Sequence, residues 1–303
     1  MDSFSIGYAN IALVKYWGKK QKNPVLPFNP NLSLRLDKLK TKTKIIKSSS
    51  NDDEFYINDE KQSKEELSKI INFINKFIPK NREKIKIISY NSLPTAAGLS
   101  SSSSGTMALV IACNEYFNLN KSKEELISIA KEGSGSSCRS FYKMASWLED
   151  GTVKEIKSDI NLAMMVLVVN ENRKEISSRK AMEICVNTSS NYNDWVCKAK
   201  NDFSNMLDAI KKSDFKKIGE IAEDNALYMH STTKKANPPF SFLTNETYKA
   251  IDIVKKLRKK GIECYFTIDA GPNVKILYQR ENQDLIYKEV KKLWTKKIIL
   301  CME

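Results

Sequence analysis

The chain has 303 residues, 41% of them hydrophobic, which is enough to build a sizeable core in one large domain or two lobes. No apolar run reaches the roughly 18 residues of a membrane helix, and the first residues lack the basic head and apolar stretch of a signal peptide. The net charge is +14, but the lysines are dispersed among acidic residues, which is typical of solvated faces and argues against a nucleic-acid-binding protein.

Cysteine usage points to a reducing compartment. The chain has six cysteines and one histidine, and no two cysteines form a C-x-x-C pair. Most of the thiols lie in apolar or helical contexts. We therefore expect reduced cysteines, a cytoplasmic location and no metal site built from protein side chains.

The first half of the chain alternates between strand and helix patterns. Strands are expected over 3–15, 52–58 and 84–90, with a hairpin over 32–46. An amphipathic helix is expected over 64–77, and another over 122–131, where Ser122 and Glu125 form a capping box. An apolar helix is also expected directly after Gly105.

The second half becomes mostly helical after a buried strand at 163–169. Helices are expected over 192–211, 215–229, 248–260 and 288–294, and strands over 264–268, 274–277 and 296–300. Gly261 ends the third of these helices. The pattern predicts an α+β protein with an N-terminal lobe at 1–177 and a smaller C-terminal lobe at 178–303.

The segment 91–105 joins a predicted strand to an apolar helix through small residues and hydroxyls. Small side chains let a ligand approach the backbone, and the first helical turn offers unpaired N–H groups and the positive end of the helix dipole. An anion loop is therefore favoured over a serine-rich linker or an ordinary N-cap. Neither a Walker A motif nor a G-x-G-x-x-G fingerprint occurs.

The order Pro94-x-x-x-Gly98-Leu99-x-Ser101-Ser102 resembles the phosphate loop of the GHMP small-molecule kinases, and its variant residues resemble the mevalonate diphosphate decarboxylase family. The resemblance covers five blocks in the family's order, at 10–19, 93–102, 133–140, 176–182 and 267–275. It implies a two-lobed GHMP kinase fold of mixed and antiparallel sheets with helices, and an active site in the cleft between the lobes. It also implies ATP and Mg²⁺ as cofactors, with ATP bound by Pro94, Ala96, Ala97, Gly98, Leu99, Ser100, Ser101 and Ser102. The loop has serines at 100 and 103 where the family often has alanine, which leaves open the hydroxyl that holds the nucleotide phosphate.

Lys15 and Lys19 lie four residues apart after an apolar strand. From the residues alone, solvated lysines and core aromatics are the commoner interpretation. The resemblance implies that Tyr16 and Lys19 contact a substrate diphosphate, that Trp17 and Gly18 line the same site, and that Lys15 acts at the reacting centre. A buried lysine beside a carboxylate would stay charged and control the proton affinity of that carboxylate.

A second loop of small residues, 133–140, combines hydroxyls and bare backbone with a guanidinium. A helix C-cap and turn is one interpretation, and a site for a diphosphate or carboxylate is the other. The resemblance implies a catalytic role for Arg139 and places Arg179 at the substrate carboxylate. It implies further substrate contacts from Ser134, Gly135, Ser136, Ser137, Cys138, Arg139, Met182 and Thr188.

Asp269 follows an apolar strand and precedes a tight turn. It is either the cap of an Asx-type turn or a partly buried carboxylate aimed into a cleft. By the resemblance, Asp269 is the catalytic acid of the family and Ala270 contacts the substrate. The single histidine, His230, is expected to pack or cap a helix rather than to transfer protons.

The resemblance implies ATP-dependent decarboxylation of (R)-5-diphosphomevalonate to isopentenyl diphosphate in isoprenoid biosynthesis. We expect a small-molecule substrate, no nucleic-acid or membrane partner, and a homodimer. The alternatives are a kinase that stops after phosphorylation, a decarboxylase of the monophosphate, and a basic nucleic-acid-binding protein. Lys15 with Asp269 argues against the first, Tyr16 with Lys19 against the second, and the dispersed charge against the third.

Overall fold

The structure is a computed structural model that describes residues 3–92, 101–172 and 175–302, the side chain of Ser101 excepted. The strands are β1 (Ser5–Val14), β2 (Lys19–Lys22), β3 (Val25–Pro27), β4 (Asn31–Lys47), β5 (Glu54–Ile57), β6 (Glu60–Lys61), β7 (Ile85–Asn91), β8 (Met144–Trp147), β9 (Val153–Glu155), β10 (Leu162–Leu167), β11 (Tyr265–Ile268), β12 (Val274–Gln279) and β13 (Ile298–Leu300). The α-helices are α1 (Lys64–Ile74), α2 (Ser101–Tyr116), α3 (Lys123–Gly133), α4 (Ser178–Thr188), α5 (Tyr192–Lys211), α6 (Phe215–Lys234), α7 (Asn245–Lys259) and α8 (Gln283–Leu293). Two 3₁₀ helices span Gly135–Phe141 and Arg280–Asn282.

The described residues divide into two compact units that do not follow a single cut in the chain. The first unit contains residues 3–10, 35–92 and 101–142, and the second contains residues 11–34, 143–172 and 175–302. The predicted boundary between 177 and 178 coincides with the start of α4 and stays a prediction.

The first unit is built on β7, which lies antiparallel to the second half of β4 and parallel to β5. Helices α1 and α2 cover an apolar core formed by Ile45, Phe55, Ile74, Ile78, Ile85, Ile87, Leu109, Ala112 and Cys113. Gly7 on β1 allows α2 to approach closely, because a Cβ at Gly7 would lie 2.0 Å from the carbonyl oxygen of Ser104. This contact fixes the position of the serine-rich first turn of α2.

The second unit contains an antiparallel sheet in the order β11-β12-β10-β13. Strands β11 and β12 form a hairpin in which Thr267 pairs with Lys275. The turn of this hairpin carries Asp269, so the local pairing already places Asp269 and Lys275 on one face of the sheet. A separate apolar core around α4, α5 and α6 contains Trp17, Ala181, Cys185, Tyr192, Trp195, Ala199, Met229, Ala236, Phe242 and Ala270.

The hairpin predicted over 32–46 is wrong, because Asn31–Lys47 is one continuous strand. The segment has no glycine or proline to reverse the chain, and the alternation of buried and more exposed residues continues past Asp37. The hairpin of β2 and β3 was not predicted, because both strands are short and β2 consists only of polar residues.

Several local predictions are confirmed. The capping box of Ser122 and Glu125 starts α3, and Gly261, with φ +80°, follows the end of α7. Helix α5 has the predicted bounds, whereas α6 extends beyond 229 to Lys234 and therefore includes His230.

We expect Gly219→Ala to lower the free energy of unfolding. A Cβ at Gly219 on α6 would lie 2.0 Å from ring atoms of Tyr265. Helix propensity favours alanine by about 1 kcal/mol, but overpacking of a core costs about 1–3 kcal/mol. Urea denaturation measures the difference. Gly105→Ala on α2 is the matched control, because a Cβ there meets no heavy atom within 4 Å. A Gly219→Ala protein as stable as wild type would contradict this close packing.

Candidate functional site

An ion pair between Lys15 and Asp269 is the central charged feature of the second unit. Lys15 follows β1 and is 2% exposed, whereas Asp269 follows β11 and is 21% exposed. The Lys15 Nζ lies 2.7 Å from Asp269 Oδ1 and donates a second hydrogen bond to the carbonyl oxygen of Ala12 at 2.7 Å. A buried ammonium at this distance favours the ionised carboxylate. The pair therefore places the negatively charged carboxylate of Asp269, a residue that is partly exposed, beside the fixed ammonium of Lys15.

The backbone of Lys15 is held by two buried asparagines. The Lys15 N–H donates to Asn225 Oδ1 at 2.8 Å, and Asn29 Nδ2 donates to the Lys15 carbonyl at 2.9 Å. Asn225 on α6 in turn donates to Asp202 Oδ2 at 2.8 Å. Sequence reasoning missed these supporting residues. For Asn225, the only local signal was that a polar residue lies on the buried face of the amphipathic helix α6.

His230 is buried within α6, close to both members of the ion pair. Burial and the positive charge of Lys15, opposed by Asp269, together lower the pKa of His230 to about 3. The imidazole is therefore neutral at physiological pH. Its ring meets Phe242 edge to face at 6.2 Å between centroids, which fits the packing role expected from the sequence.

Trp17 and Gly18 shape the backbone after Lys15. The indole of Trp17 is 2% exposed and donates to Thr232 Oγ1 at 2.9 Å. Gly18 has φ +133°, and a Cβ there would lie 1.8 Å from the hydroxyl of Tyr192, which itself donates to the Trp17 carbonyl at 2.6 Å. The Trp17 side chain is therefore part of the apolar core. Tyr16 packs its ring against Trp147 at 4.9 Å.

Lys19, Lys22 and Arg179 form a cluster of cations in the second unit. Burial and the positive charges of Arg179 and Lys22 lower the pKa of Lys19. Repulsion of this kind is relieved by a bound anion, so the cluster suits a multiply charged phosphate group.

The other residues predicted on α4 differ in their surroundings. Met182 is half-buried and packs against the apolar core of the second unit. Thr188 is exposed at the end of α4, where its hydroxyl donates to the Ile184 carbonyl at 2.7 Å and accepts from the Asn237 N–H at 2.9 Å. Ala270 is 8% exposed beside Asp269.

The first unit contains a network centred on Asn10, which sequence reasoning did not single out. Asn10 Nδ2 lies within hydrogen-bond distance of Ser103 Oγ at 2.8 Å, Ser140 Oγ at 2.7 Å and the Ser136 carbonyl at 3.0 Å. The buried guanidinium of Arg139 lies 3.5 Å from Asn10 Oδ1 through Nη2. The network thus joins one turn of α2 to the 3₁₀ helix Gly135–Phe141.

The loop predicted at 133–140 is mostly a 3₁₀ helix, Gly135–Phe141. Ser134 and Ser136 are partly exposed, whereas Gly135, Ser137 and Cys138 are buried. Ser137 Oγ lies 2.6 Å from the Ala130 and Ser134 carbonyls, and burial raises the pKa of Cys138 to about 11. Ser137 and Cys138 therefore hold the backbone in shape, and the Cys138 thiol is inert as a nucleophile.

The predicted ATP contacts of Pro94, Ala96, Ala97, Gly98, Leu99 and Ser100 lie outside the described residues, as does the Ser101 side chain. Ser102 is exposed in the first turn of α2, and the space beside Gly105 is open, since a Cβ there meets no heavy atom within 4 Å. A helix start with open space beside it fits a phosphate group. Within the described ranges no three His, Cys, Asp or Glu side chains form a metal-binding group, and Mg²⁺ in phosphoryl-transfer sites is typically held by one or two carboxylates and the phosphates.

Two family models match the chain. The diphosphomevalonate decarboxylase-like N-terminal domain matches residues 7–160, and the mevalonate 5-diphosphate decarboxylase C-terminal domain matches residues 164–300. The chain belongs to the mevalonate diphosphate decarboxylase family. The resemblance seen in the sequence is thereby confirmed.

Individual relatives agree with this assignment. The structure of mevalonate pyrophosphate decarboxylase from Streptococcus pyogenes is 42% identical with a TM-score of 0.91, covering 98% of this chain and 95% of that chain. A structure of MDDEF in complex with MVAPP, AMPPCP and magnesium is 37% identical with a TM-score of 0.90, covering 99% and 96%. Diphosphomevalonate decarboxylase from Debaryomyces hansenii is 30% identical over 95% of this chain and 82% of its own length.

These similarities confirm the predicted α+β GHMP fold with mixed and antiparallel sheets. Across the described part of the chain, the helices are too short or too polar to span a membrane.

We expect Asn225→Ala to destabilise the protein by about 1–3 kcal/mol, because the buried N–H of Lys15 and the Asp202 carboxylate each lose a hydrogen-bond partner. Urea denaturation measures the loss. Asn201→Ala, on the exposed side of α5, is the control and should stay within about 0.5 kcal/mol of wild type. Equal stability of the two variants would show that Asn225 does not support Lys15.

Proposed function

We propose that this protein is a diphosphomevalonate decarboxylase, which converts (R)-5-diphosphomevalonate and ATP to isopentenyl diphosphate, ADP, phosphate and CO₂. The observation that carries the proposal is the buried Lys15 paired with Asp269 in a chain that family models match along most of its length. The use of ATP and Mg²⁺ agrees with the related MDDEF structure, which contains an ATP analogue and magnesium beside MVAPP. The reaction belongs to the mevalonate pathway of isoprenoid biosynthesis.

Asp269 is the residue that acts on the 3-hydroxyl of the substrate. Its carboxylate accepts the hydroxyl proton or a hydrogen bond from it, while the ammonium of Lys15 stays bound to Oδ1. ATP, bound with Mg²⁺, supplies the phosphoryl group that turns this hydroxyl into a leaving group. Departure of that phosphate leaves positive character at C3, and loss of the carboxyl group as CO₂ supplies the electron pair that forms the double bond.

The cations of the site hold the anionic parts of the substrate. Lys19 and Tyr16 bind the diphosphate in this proposal, and Arg179 faces the carboxylate beside them. Burial and the positive charges of Arg179 and Lys22 lower the pKa of Lys19, and the repulsion among these cations supports an anion at this position. Arg139, oriented by Asn10, offers a planar fork for a carboxylate or phosphate.

The remaining predicted contacts rest on the family resemblance. They comprise substrate contacts at Trp17, Gly18, Ser134, Gly135, Ser136, Ser137, Cys138, Met182, Thr188 and Ala270, and ATP contacts at Pro94, Ala96, Ala97, Gly98, Leu99, Ser100, Ser101 and Ser102. A backbone contact suits the buried members of this set better than a side-chain contact.

We also propose a cytoplasmic location, a homodimer and a role in lipid metabolism. The six cysteines, which all lie in the described part of the chain, are thiols and not disulfides, which supports a reducing compartment. The dimer rests on the family resemblance, and light scattering on the purified protein tests it.

A coupled assay tests the reaction. The protein is incubated with (R)-5-diphosphomevalonate, ATP and Mg²⁺, and the release of ADP and of trapped CO₂ is measured. We expect one CO₂ for each ADP. ADP without CO₂ would identify a kinase that stops after phosphorylation, and equal activity on 5-phosphomevalonate would contradict the assigned substrate.

We expect Asp269→Asn to keep substrate and ATP binding but to lower kcat by roughly 10²–10⁴-fold, the typical contribution of a general base. Steady-state kinetics and calorimetric binding measure the two effects. Asp252→Asn, on the exposed side of α7, is the matched control and should behave as wild type. Near-normal turnover of Asp269→Asn would remove Asp269 from the mechanism.

We expect Lys19→Met to raise the KM for diphosphomevalonate by about tenfold to a hundredfold, because a charged hydrogen bond of about 1.5–3 kcal/mol is lost, with little change in the KM for ATP. Lys20→Met, an exposed neighbour, is the control. The lowered pKa of Lys19 means that its charge is lost at a lower pH than that of a solvated lysine. The KM of wild type should therefore rise at alkaline pH, and Lys19→Arg should move this rise to higher pH. A defect of Lys19→Met confined to ATP would show that Lys19 serves the nucleotide.

A further inference from the structure

A second buried lysine lies against the proposed catalytic carboxylate. Among the described residues, the buried lysines are Lys15 and Lys275, at 2% and 1% exposure. The Lys275 Nζ lies 3.9 Å from Asp269 Oδ2 and donates a hydrogen bond to the Asn273 carbonyl at 3.1 Å. The carboxylate of Asp269 therefore lies between two ammonium groups, one near each oxygen.

The β11–β12 hairpin creates this arrangement through its register. Lys275 pairs with Thr267, and side chains two residues apart on a strand share a face. Asp269 comes two residues after Thr267, so the short turn places the side chains of Asp269 and Lys275 on the same face of the hairpin. The contact is thus built into one local element, whereas Lys15 reaches Asp269 from β1.

Stability does not explain a second lysine at this position. A buried ammonium carries a desolvation cost of several kcal/mol, and a well-packed apolar side chain is often as stable or more stable there. Lys15 alone already supplies one full positive charge to Asp269 at 2.7 Å. Clusters of buried, mutually perturbed charged groups are instead typical of functional sites.

The other groups around Lys275 do not replace its charge. His230 from α6 is neutral, because burial lowers its pKa to about 3. Burial lowers the pKa of Lys275, while the negative charge of Asp269 opposes that change, and a thiolate at Cys301 after β13 would act in the same direction as Asp269. Asp269 and Lys275 consequently stabilise each other's charged forms, with Lys15 as the third charge.

We propose that Lys275 is a positioning residue that keeps Asp269 ionised and fixes the orientation of its carboxylate toward the substrate hydroxyl. This role rests on the proposed decarboxylase activity. It gives a function to Lys275, to which the family motifs assign none. A carboxylate with a cation near each oxygen has less rotational freedom than one with a cation at a single oxygen. Because an adjacent cation favours the ionised carboxylate, loss of Lys275 lets Asp269 take up a proton at higher pH.

The test uses Lys275→Met, which removes the charge while keeping an unbranched side chain. We expect the acidic limb of the kcat profile to move to higher pH by roughly one unit or more, and kcat at the optimum to fall by roughly tenfold to a hundredfold, with the KM for ATP unchanged. Ile276→Val, a buried change in the same strand, is the matched structural control and should leave the pH profile unchanged. An unshifted acidic limb in a folded Lys275→Met enzyme would overturn the proposal.

A double-mutant cycle on thermal unfolding provides a second measurement that does not depend on activity. Asp269→Asn leaves two buried cations without their anion, and adding Lys275→Met should restore part of the lost melting temperature. Additive effects of the two changes would overturn the coupling. If wild type fails to release CO₂ while the cycle shows coupling, the decarboxylase assignment fails and the pairing of Lys275 with Asp269 stands.

Discussion

The ion pair of Lys15 and Asp269 is the constraint on which the organisation of the second unit depends. The ammonium of Lys15 is almost fully buried, and an uncompensated charge at such a position would destabilise the fold by several kcal/mol. Its partner must therefore be present, ionised and close. The ends of β1 and β11 meet this requirement, because each strand delivers one member of the pair directly after its last residue.

The surroundings of the pair show how the protein keeps the two groups in place without neutralising them. Asn225 and Asn29 bind the backbone of Lys15 on both sides, so its side chain starts from a fixed point. The β11–β12 hairpin adds a second ammonium group, that of Lys275, near Oδ2 of the carboxylate. Asp269 Oδ2 is buried beside Lys275, so the exposed part of the side chain, near Oδ1, is what remains for a substrate. Preorganised charges of this kind favour a transition state because little reorganisation is needed during the reaction.

Packing, rather than charge pairing, fixes the residues that follow Lys15. Trp17 and Gly18 are fixed by their contacts with Tyr192. The fixed backbone is followed by Lys19, which lies near Arg179 and Lys22. The resulting cluster carries repulsion that an anion relieves. The net charge of +14 adds a long-range attraction for phosphorylated substrates, although the dispersed lysines serve mainly as solvated surface.

Features that depend on neighbouring residues and on short motifs could be predicted from the amino-acid sequence. Helical periodicity predicted α5 with its observed bounds and α1 from its observed start, and the capping box predicted the start of α3. Five motif blocks identified the family, and they predict Asp269 and Lys15 as site residues. Which distant groups contact these residues depends on how the chain folds. Asn225 is 210 positions from Lys15, and Asp269 is 254 positions from it, so no local pattern could reveal either contact. The same reason explains why Trp17 belongs to the core and why Lys275, an ordinary strand residue in the sequence, lies buried against Asp269. Burial and charge compensation are set by packing between elements far apart in the chain, and periodicity or spacing cannot report them.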